Sequence, residues 1–357
     1  MSKKKVKKFK ESVGIDIGTH SIKLVHLRRI HEGFKLLNYE IRPTVPVGIE
    51  YTPSDLRPER FAPILAEMMR TLKIKPKKVK HLVTAIGGDH LSIKQIKTIF
   101  LPEDELESAL FFEAKKHLPI SGSDMVLDFQ VLSVEERTNN MNILLVSSTR
   151  DQINAHSDVL TTVDLAPGII DAEPLAVANS FFLNTYVEDG VYVLLNIGAH
   201  RTNMVICGPQ ARFFSRDIDF GGFNVTKDIM RAKDLGFEEA EEYKFEHGIT
   251  GTSSSDLGST SLGTLEISDK LTEENIALEI KRSLRYYVKE AGNSDFRKIL
   301  LVGGGAKLKG MPEYLQEQLN IPTEIFNPFT GVEMPEKLRD KKDPQLALAI
   351  GLAMRPE

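Results

Sequence analysis

The sequence predicts an α/β protein made of two related lobes that face each other across a cleft. The chain has 357 residues, enough for two ordinary domains or one large bilobal one. Strand-like and helix-like segments alternate along most of it. A hairpin motif near the N-terminus recurs 180 residues later, which indicates two lobes of similar topology, each with its turn at a shared cleft.

The first lobe is expected to comprise residues 13–89 and 166–190. Its strand-like segments are apolar, and apolar residues recur at helical spacing between 61 and 72. Prolines interrupt residues 43–58, which are therefore expected to form a loop. The predicted elements are, in order, a strand hairpin from Val13 to Leu27, a strand from Phe34 to Glu40, a helix over 61–72 and a strand over 79–88.

Residues 90–165 have a strand-helix-strand-strand-helix order of their own. The segment begins with the strand-like LSIKQIKTIF and continues with EDELESALFFEAKKHL, which is expected to be a helix. The turn TNN joins two further strands, and a second helix is expected near 150–163. This pattern predicts a small subdomain inserted into the first lobe.

The second lobe is expected to span residues 191–340, and residues 341–357 are expected to form a closing helix that returns to the first lobe. The Asp-Pro pair before QLALAIGLAM is a helix-start signal. The predicted elements of the second lobe are a hairpin from Val191 to Ile206, a charged helix from Asp234 to Gly248, a flexible Ser/Gly/Thr-rich loop over 249–263, a helix from Glu273 to Ala291 and a strand that leads to Gly303.

Composition and charge exclude several classes of protein. The chain is 41% hydrophobic and 27% charged, and its net charge of −4 favours neither nucleic acid nor an anionic membrane as a partner. The single cysteine, Cys207, excludes an internal disulfide framework and suits a reducing cytosol. No apolar run approaches the roughly 20 residues needed to cross a bilayer. We therefore expect no nucleic-acid partner and no direct membrane span.

Residues 1–12 are expected to form a basic, disordered tail. The stretch MSKKKVKKFK is rich in lysine and no hydrophobic segment follows it, which excludes a secretory signal. Contact of these lysines with an anionic inner leaflet is the alternative, in which each lysine near the surface contributes about 1 kcal/mol.

The repeated hairpin aligns VGIDIGTHSIKLV at 13–25 with VLLNIGAHRTNMV at 193–205 without a gap. Two apolar strands can match by chance, which is the alternative explanation. Asp16 aligns with Asn196, so only the first hairpin carries an acid at this point. The identical pairs are Val13 and Val193, Ile17 and Ile197, Gly18 and Gly198, His20 and His200, and Val25 and Val205.

The two hairpin turns have the chemistry of a phosphate clamp. A glycine allows the backbone to come close to a ligand, and successive N–H groups in a turn form a site for an anion. Asp16 would repel a phosphate directly but can hold a hydrated Mg²⁺ that bridges to it. Thr19, His20 and Ser21 would form the cradle. Lys23 would supply positive charge, although a lysine taken singly is more often a surface residue.

Two further glycine turns are candidates for the same site. Gly303–Gly305 follows the apolar strand ILLV, although a glycine turn of this kind is common where elements pack closely. Gly221–Gly222 opens a helix, where free N–H groups suit an anion. His20 and His200 have no Cys or acidic partners at the spacing of a metal site, so phosphate-loop positions are favoured over zinc ligands.

The order of these motifs resembles the superfamily of actin, heat-shock ATPases and sugar kinases. DIGTHSIK is similar to its first phosphate loop, NIGAHRTN to the second and LLVGGGAKLKGM to its adenosine loop. EPLAVA and ALAIGLAM resemble the two helices that connect the lobes. Over residues 12–355 the chain resembles the PilM family of type IV pilus assembly proteins and, behind it, the cell-division actin FtsA, through LPEDELESALFFEAKKHLPI, GGFNVTKDI, EEAEEYKFEHG and EPLAVA.

This resemblance implies a bilobal actin-like, or ribonuclease H-like, fold with an inserted subdomain of the FtsA and PilM type. It also implies that ATP binds with Mg²⁺ in the cleft between the lobes, with Asp16 holding the metal through water. The residues that the resemblance assigns to ATP binding are Asp16, Gly18, Thr19, His20, Ser21, Lys23, Gly198, Ala199, His200, Thr202, Gly221, Gly222, Glu241, Lys244, Gly303, Gly304, Gly305 and Lys307.

The resemblance also implies a cytoplasmic adaptor of type IV pilus assembly, or of related type II secretion or twitching systems, that is peripheral to the inner membrane and couples its partner to the pilus machinery. Members of the family bind the short cytoplasmic tail of PilN, a bitopic membrane protein, beside the inserted subdomain. We therefore expect a PilN-like tail as partner, with pilus motor components and a second copy of the chain as further candidates. An amphipathic helix over 105–118 is compatible with a partner face, and a plain core helix is the alternative. No amphipathic extension follows Met354, which argues against an FtsA-style membrane anchor.

Two positions bear on whether ATP is hydrolysed. Asn196 stands where the superfamily has Asp, which removes a carboxylate that would orient metal or water. Glu173, in EPLAVA, resembles the catalytic acid that positions attacking water in heat-shock ATPases, although an acid also suits a helix N-terminus for structural reasons. We expect ATP binding with weak or no hydrolysis. The alternatives are a slow ATPase, a filament-forming actin-like protein and a small-molecule kinase.

Overall fold

The structure, a computed structural model, describes residues 9–53, 58–76, 79–117, 124–251, 272–339 and 342–355. These residues form sheets of six, five and three strands. Residues 1–8 of the predicted tail and 252–263 of the predicted flexible loop lie outside the described residues. No helix within the described ranges is long and apolar enough to cross a membrane.

Strands and helices alternate along most of the described chain. In chain order, the strands are β1 (Glu11–Ile17), β2 (Ser21–Arg29), β3 (Phe34–Pro43), β4 (Leu82–Ile86), β5 (Leu91–Ile99), β6 (Met125–Glu135), β7 (Asn140–Thr149), β8 (Ile169–Ala172), β9 (Val191–Ile197), β10 (Thr202–Cys207), β11 (Phe214–Ile218), β12 (Phe296–Val302), β13 (Thr323–Ile325) and β14 (Val332–Glu333). The helices are α1 (Pro58–Thr71), α2 (Glu103–His117), α3 (Arg150–Thr161), α4 (Glu173–Asn184), α5 (Gly222–Lys233), α6 (Phe237–His247), α7 (Thr272–Ala291), α8 (Met311–Leu319) and α9 (Ala347–Met354).

The sheets of the two lobes have the same topology. The first lobe has the strand order β3-β2-β1-β4-β8, and the second has β11-β10-β9-β12-β13. In each sheet, three antiparallel strands are followed by two parallel ones. β14 adds a sixth strand to the first sheet, beside β3. The sequence repeat covers only one hairpin in each lobe, whereas the structural repeat covers both sheets.

Two helices, α4 and α9, fill the space between the sheets. Every residue of α9 is buried. The helix crosses α4 at Gly351, where a Cβ would overlap the carbonyl oxygen of Ala176, and crosses β1 at Gly14, where a Cβ would overlap that of Ala349. Apolar side chains of both lobes pack around α4 and α9. The connection between the lobes is therefore a close-packed interior in which backbone meets backbone.

The inserted segment forms a three-stranded antiparallel sheet with the order β5-β7-β6. Leu106, Leu110 and Ala114 of α2 pack on this sheet and are buried there. This face of α2 is thus a core face. Phe112, on another face of the helix, is 67% exposed.

The structure moves four boundaries from their predicted places. β1 begins at Glu11, inside the predicted tail, and the Glu11 carboxylate pairs with Arg28 on β2. α3, predicted within the insertion, packs on the core of the first lobe through Leu160. β14, a strand that was not predicted, lies within the range assigned to the second lobe but pairs with β3 of the first. α6 begins at Phe237 rather than Asp234, because Asp234 adopts a left-handed φ of +53° and ends α5.

Candidate functional site

A cavity of about 430 Å³ lies between the two lobes. The β1–β2 turn lines it from the first lobe and the β9–β10 turn from the second, together with residues of α4, α5 and α6 and the glycine turn after β12. The predicted site residues that line it are Asp16, Gly18, Thr19, His20, Ser21, Lys23, Glu173, Gly198, Ala199, His200, Gly222, Glu241, Lys244, Gly303, Gly304, Gly305 and Lys307.

Two of the predicted residues, Thr202 and Gly221, are not among the residues that line the cavity. Thr202 is buried in β10, and its hydroxyl donates to the carbonyl oxygen of Phe220 at 2.8 Å. Gly221 precedes α5, and a Cβ at this position would overlap the carbonyl group of Ala199. Both residues therefore contact the segment that joins β11 to α5 or the second turn itself.

The two hairpin turns close in the same way. The Gly18 N–H donates to the carbonyl oxygen of Ser21 at 3.2 Å, and the Gly198 N–H donates to that of Arg201 at 2.8 Å. In the sequence repeat, Gly18 is equivalent to Gly198 and Ser21 to Arg201. The geometry of the turns therefore follows the repeat, which argues against a chance match between two apolar strands.

The first turn carries an acid, and the second carries amides at the equivalent places. Asp16 Oδ2 lies 3.1 Å from Lys23 Nζ, and the two residues are paired directly across β1 and β2. The corresponding cross-strand pair on β9 and β10 is Asn196 and Asn203. A buried carboxylate is tolerated when a cation pairs with it. Lys23 thus explains how the fold accommodates Asp16 in a buried strand.

Glu173 begins α4, and its carboxylate lies against the backbone of Gly87. A Cβ at position 87 would overlap Glu173 Oε2, so a glycine is needed there. Burial, together with the nearby carboxylates of Asp16 and Asp217, raises the pKa of Glu173 to about 7. The positive charges of Arg201 and Lys23 oppose this rise. A carboxyl group with such a pKa can accept or release a proton near neutral pH.

Replacing Glu173 by glutamine is expected to change how stability depends on pH. Because the pKa is raised in the folded state, folded wild-type protein retains a proton that the unfolded chain releases between about pH 4.5 and 7. The free energy of unfolding of the wild type therefore falls through this window by about 2–3 kcal/mol relative to E173Q. Thermal unfolding of both proteins from pH 4.5 to 8 measures this difference.

The control for this prediction is Glu324→Gln, which alters an exposed acid paired with Lys298 outside the cavity. E324Q should follow the wild-type profile. Parallel profiles for E173Q and the wild type across the whole range would show that Glu173 does not titrate in this window.

An aromatic cluster lies between the two turns. The Tyr51 hydroxyl is 3.3 Å from His20 Nδ1, and the Tyr51 ring centroid is 5.3 Å from that of His200. Phe223 of α5 contacts both histidines, with centroid distances of 5.9 Å to His20 and 4.5 Å to His200. Burial lowers the pKa of His20, and lowers that of His200 to about 4, so both rings are neutral near pH 7. Nowhere in the described part of the chain do three His, Cys, Asp or Glu side chains converge as metal ligands.

Two further lysines line the second-lobe side of the cavity. Lys244 of α6 is buried and donates to Glu241 Oε1, and to Thr226 Oγ1 at 2.8 Å. Burial lowers the pKa of Lys244, and the Glu241 carboxylate opposes this shift. Lys307 lies 3.1 Å from Asp343. The positive charge of both lysines is therefore already balanced by a carboxylate of the protein.

Several cavity residues were not predicted from the sequence. Gly87, Arg201 and Asn203 reach the cavity through strand pairing and the approach of the two lobes. Gln152 and His156 reach it from α3, where their spacing of four residues places them on one helix face. In the sequence, only the four-residue spacing of Gln152 and His156 and the glycine turn after β4 indicate that these residues could belong to a site. The other lining residues outside the prediction are Ile17, Pro53, Ala85, Ile86, Asn196, Phe223, Phe245, Leu308, Gln345 and Leu348.

Comparison with known proteins finds both similar sequences and similar structures. The cell-division protein FtsA of Neisseria meningitidis serogroup B is 21% identical over 308 residues, which cover 77% of this chain and 73% of that protein. FtsA of Agrobacterium fabrum is 25% identical over 255 residues, which cover 67% of this chain and 54% of that protein.

Two solved structures are similar across almost the whole chain. A PilM–PilN type IV pilus biogenesis complex has a TM-score of 0.79 at 23% identity, covering 96% of this chain and 98% of that one. The ethanolamine utilization protein EutJ from Carboxydothermus hydrogenoformans has a TM-score of 0.52 at 17% identity, covering 98% and 91%. These likenesses confirm the predicted actin-like fold.

The family itself is shown by the sequence. Residues 14–357 match the family described as type IV pilus assembly protein PilM. This match spans most of the first hairpin, all of the second, the inserted segment and both connecting helices. The chain therefore belongs to the PilM family of type IV pilus assembly proteins.

Proposed function

We propose that this chain is a cytoplasmic, ATP-binding adaptor of type IV pilus assembly that its partner holds at the inner membrane. The observation that carries the nucleotide part is the pair of glycine turns, closed by equivalent hydrogen bonds, that line one cavity from two lobes. The family and the PilM–PilN complex among the similar structures support the adaptor part.

The residues of the cavity fit ATP. Glycine turns leave their N–H groups accessible to phosphate oxygens. The Gly303–Gly305 turn and α6 would hold the nucleoside, and the two hairpin turns would hold the phosphates. His200 Nε2, in the second turn, is buried and has no hydrogen-bond partner among the described residues, so a polar ligand group would satisfy it.

Magnesium also fits the acids that are present. This cation keeps most of its waters and is usually bound through one or two carboxylates and the phosphates of a ligand. Asp16 would hold it through water, as the resemblance implies. Mg²⁺ bound there would neutralise phosphate charge, and Lys23, now paired with Asp16, would lie beside the same anion.

We propose that hydrolysis is slow or absent. Asn196 packs against Gly303, and its amide cannot accept a proton as a carboxylate would. Glu173 alone would then orient or deprotonate an attacking water, and near pH 7 it is half protonated. Rapid, substrate-dependent release of ADP would instead indicate a small-molecule kinase, and sedimentation of the chain in the presence of ATP would indicate a filament.

The inserted segment is the part of the chain that we propose binds a PilN-like cytoplasmic tail. It is connected covalently to the first lobe, through β4 and α3. It also contacts the second lobe: Arg212 Nη2 donates to the Gln95 carbonyl oxygen at 2.8 Å, and the Phe213 N–H donates to Gln95 Oε1 at 2.9 Å. Because the insertion is attached to both lobes, a change in their relative position moves it. Pilus motor components and self-association remain predictions.

The affinity for the partner tail is expected to depend on ATP. A synthetic peptide with the cytoplasmic residues of a PilN-like protein of the same organism is titrated against the full chain by fluorescence anisotropy, with and without Mg-ATP. We expect the dissociation constant to change by about fivefold, a typical coupling of around 1 kcal/mol between two sites. In Gln95→Ala, which removes the side-chain contact to Phe213, this ratio should fall toward one.

The matched control is Gln130→Ala, which makes the same change at an exposed position on β6 of the insertion. It should keep the wild-type ratio. Absence of peptide binding under both conditions would leave the adaptor proposal without support, and equal affinities with and without ATP would contradict the coupling.

A further inference from the structure

Arg201 belongs to the second turn but reaches across the cleft to the first lobe. Its side chain lies on the backbone of Gly88, where a Cβ would overlap Arg201 Nη1. Gly88 has a φ of +78°, so other residues are disfavoured there on conformational grounds as well. The adjacent Gly87 gives similar room to the Glu173 carboxylate. This glycine pair therefore receives a guanidinium and a carboxylate side by side at the wall of the cavity.

Arg201 differs from the lysines that line the cavity. Lys23, Lys244 and Lys307 each lie within about hydrogen-bond distance of a carboxylate. The ion pair of Arg201 is longer, with 3.8 Å from its Nε to Asp217 Oδ2. Among the described residues, no acceptor takes a hydrogen bond from either of its Nη groups. Two parallel N–H groups on a planar guanidinium are suited to bind a phosphate.

Asp217 is placed by the pairing of three strands. Asn196 on β9 lies opposite Asn203 on β10, and Asn203 lies opposite Asp217 on β11. Directly opposed residues of antiparallel strands have side chains on the same face of the sheet. Asn203 Nδ2 donates to Asp217 Oδ1 at 2.7 Å, which leaves Oδ2 toward Arg201. The row therefore ends in a carboxylate held beside the guanidinium.

We propose that Arg201, positioned by Asp217, binds the terminal phosphate of a nucleoside triphosphate and makes the site discriminate against the diphosphate. This inference rests on the proposed binding of ATP. The nucleoside side of the cavity is formed by Gly303–Gly305 and α6 of the second lobe. A phosphate chain that runs from there to the first lobe would end at Gly87–Gly88, where the Arg201 guanidinium lies.

In this proposal Asp217 positions the Arg201 side chain, a role that a carboxylate at position 196 would not have. A carboxylate at 196 would lie on the cavity wall itself, where it could bind metal. Asp217 instead lies two strands away and acts through Arg201, by keeping the guanidinium oriented and extended toward the first lobe. Only a ligand with a third phosphate would use this interaction, so its loss should weaken triphosphate binding selectively.

The test compares a non-hydrolysable ATP analogue with ADP, each with Mg²⁺, by isothermal titration calorimetry on the full chain. We expect Arg201→Gln to weaken binding of the triphosphate about tenfold and that of ADP less than about twofold. Arg201→Lys, which keeps the charge and loses the paired donors, should lie between. Asp217→Asn keeps an acceptor for Asn203 and removes the charge beside Arg201, so it should weaken the triphosphate about threefold, and Asp217→Glu should recover part of this loss.

The matched control is Arg216→Gln, which removes the same charge from the neighbouring residue of β11, whose guanidinium binds Glu279 outside the cavity. It should leave both affinities unchanged. Equal weakening of triphosphate and diphosphate by R201Q, or weakening of neither, would overturn this inference while ATP binding stands. If the wild-type chain binds neither nucleotide, the proposed function fails as well. Thermal melting of each variant, with R201K as the charged alternative, separates these outcomes from loss of folding.

Discussion

Replacing Gly351 by alanine is expected to lower the free energy of unfolding by about 3 kcal/mol or more. The added Cβ would overlap the carbonyl oxygen of Ala176, and the next closest atoms are also backbone, the carbonyl carbon of Ala176 and the amide nitrogen of Ser180. No side chain can rotate away from such a contact, so α4 and α9 must separate. Because both helices pack between the lobes, the effect reaches the whole interior. Thermal unfolding should show a decrease of roughly 5 °C or more in Tm.

The control for this substitution is Gly168→Ala. There the nearest atom to the added Cβ would be the carbonyl oxygen of Leu82 at 3.5 Å, an ordinary van der Waals distance. G168A should therefore unfold close to the wild type. If G351A also unfolds at the wild-type temperature, the close approach of the two helices is wrong.

The second large effect is expected for Asp16→Ala, which should weaken binding of Mg-ATP at least about 100-fold, or about 2.7 kcal/mol. Asp16 is the acid of the first turn that would hold the metal through water, and the second turn has Asn196 at the equivalent position. No other carboxylate is therefore available at the paired position to replace it. Calorimetric titration of the full chain with Mg-ATP measures the loss.

Asp16→Ala also releases Lys23 from its ion pair, and this consequence needs a separate measurement. The freed lysine would favour an anion, so ATP without Mg²⁺ should be affected less than Mg-ATP. Glu333→Ala, which breaks an exposed pair with Lys35, is the control for loss of an ion pair in the same sheet. Unchanged Mg-ATP affinity in D16A would exclude the proposed metal position.

Much of the fold could be predicted because local patterns report it directly. The alternation of strands and helices, the repeated hairpin and the apolar closing helix are properties of consecutive residues. The strand at the edge of the first lobe's sheet, β14, could not be predicted in this way. β14 has two residues and pairs with β3, nearly 300 positions earlier, and so short a strand has no period of its own. The start of α6 was misplaced because a left-handed residue, Asp234, ends the preceding helix without a glycine.

Some residues of the cavity could likewise be predicted from the sequence, and others could not. The turn residues around Gly18 and Gly198 could be named from the sequence because the two hairpins align without a gap and carry identical residues at equivalent positions. Thr202 lies in the same motif, but its hydroxyl donates to the carbonyl oxygen of Phe220, a contact that depends on the packing of β10 against the segment that follows β11. Arg201 lies in the same motif, but the sequence does not predict its role, because its side chain reaches Gly88 only when the lobes face each other.

The sequence by itself determined the two-lobed class, the paired turns and the single acid between them, because each depends on residues that are neighbours along the chain. Only the tertiary structure decided which charges meet. It paired Asp16 with Lys23, raised the pKa of Glu173 through burial, and brought Asp217 beside Arg201 through the pairing of β10 with β11. Charge interactions and desolvation depend on distance in space rather than on distance along the chain, so these properties arise only once the lobes and sheets are assembled.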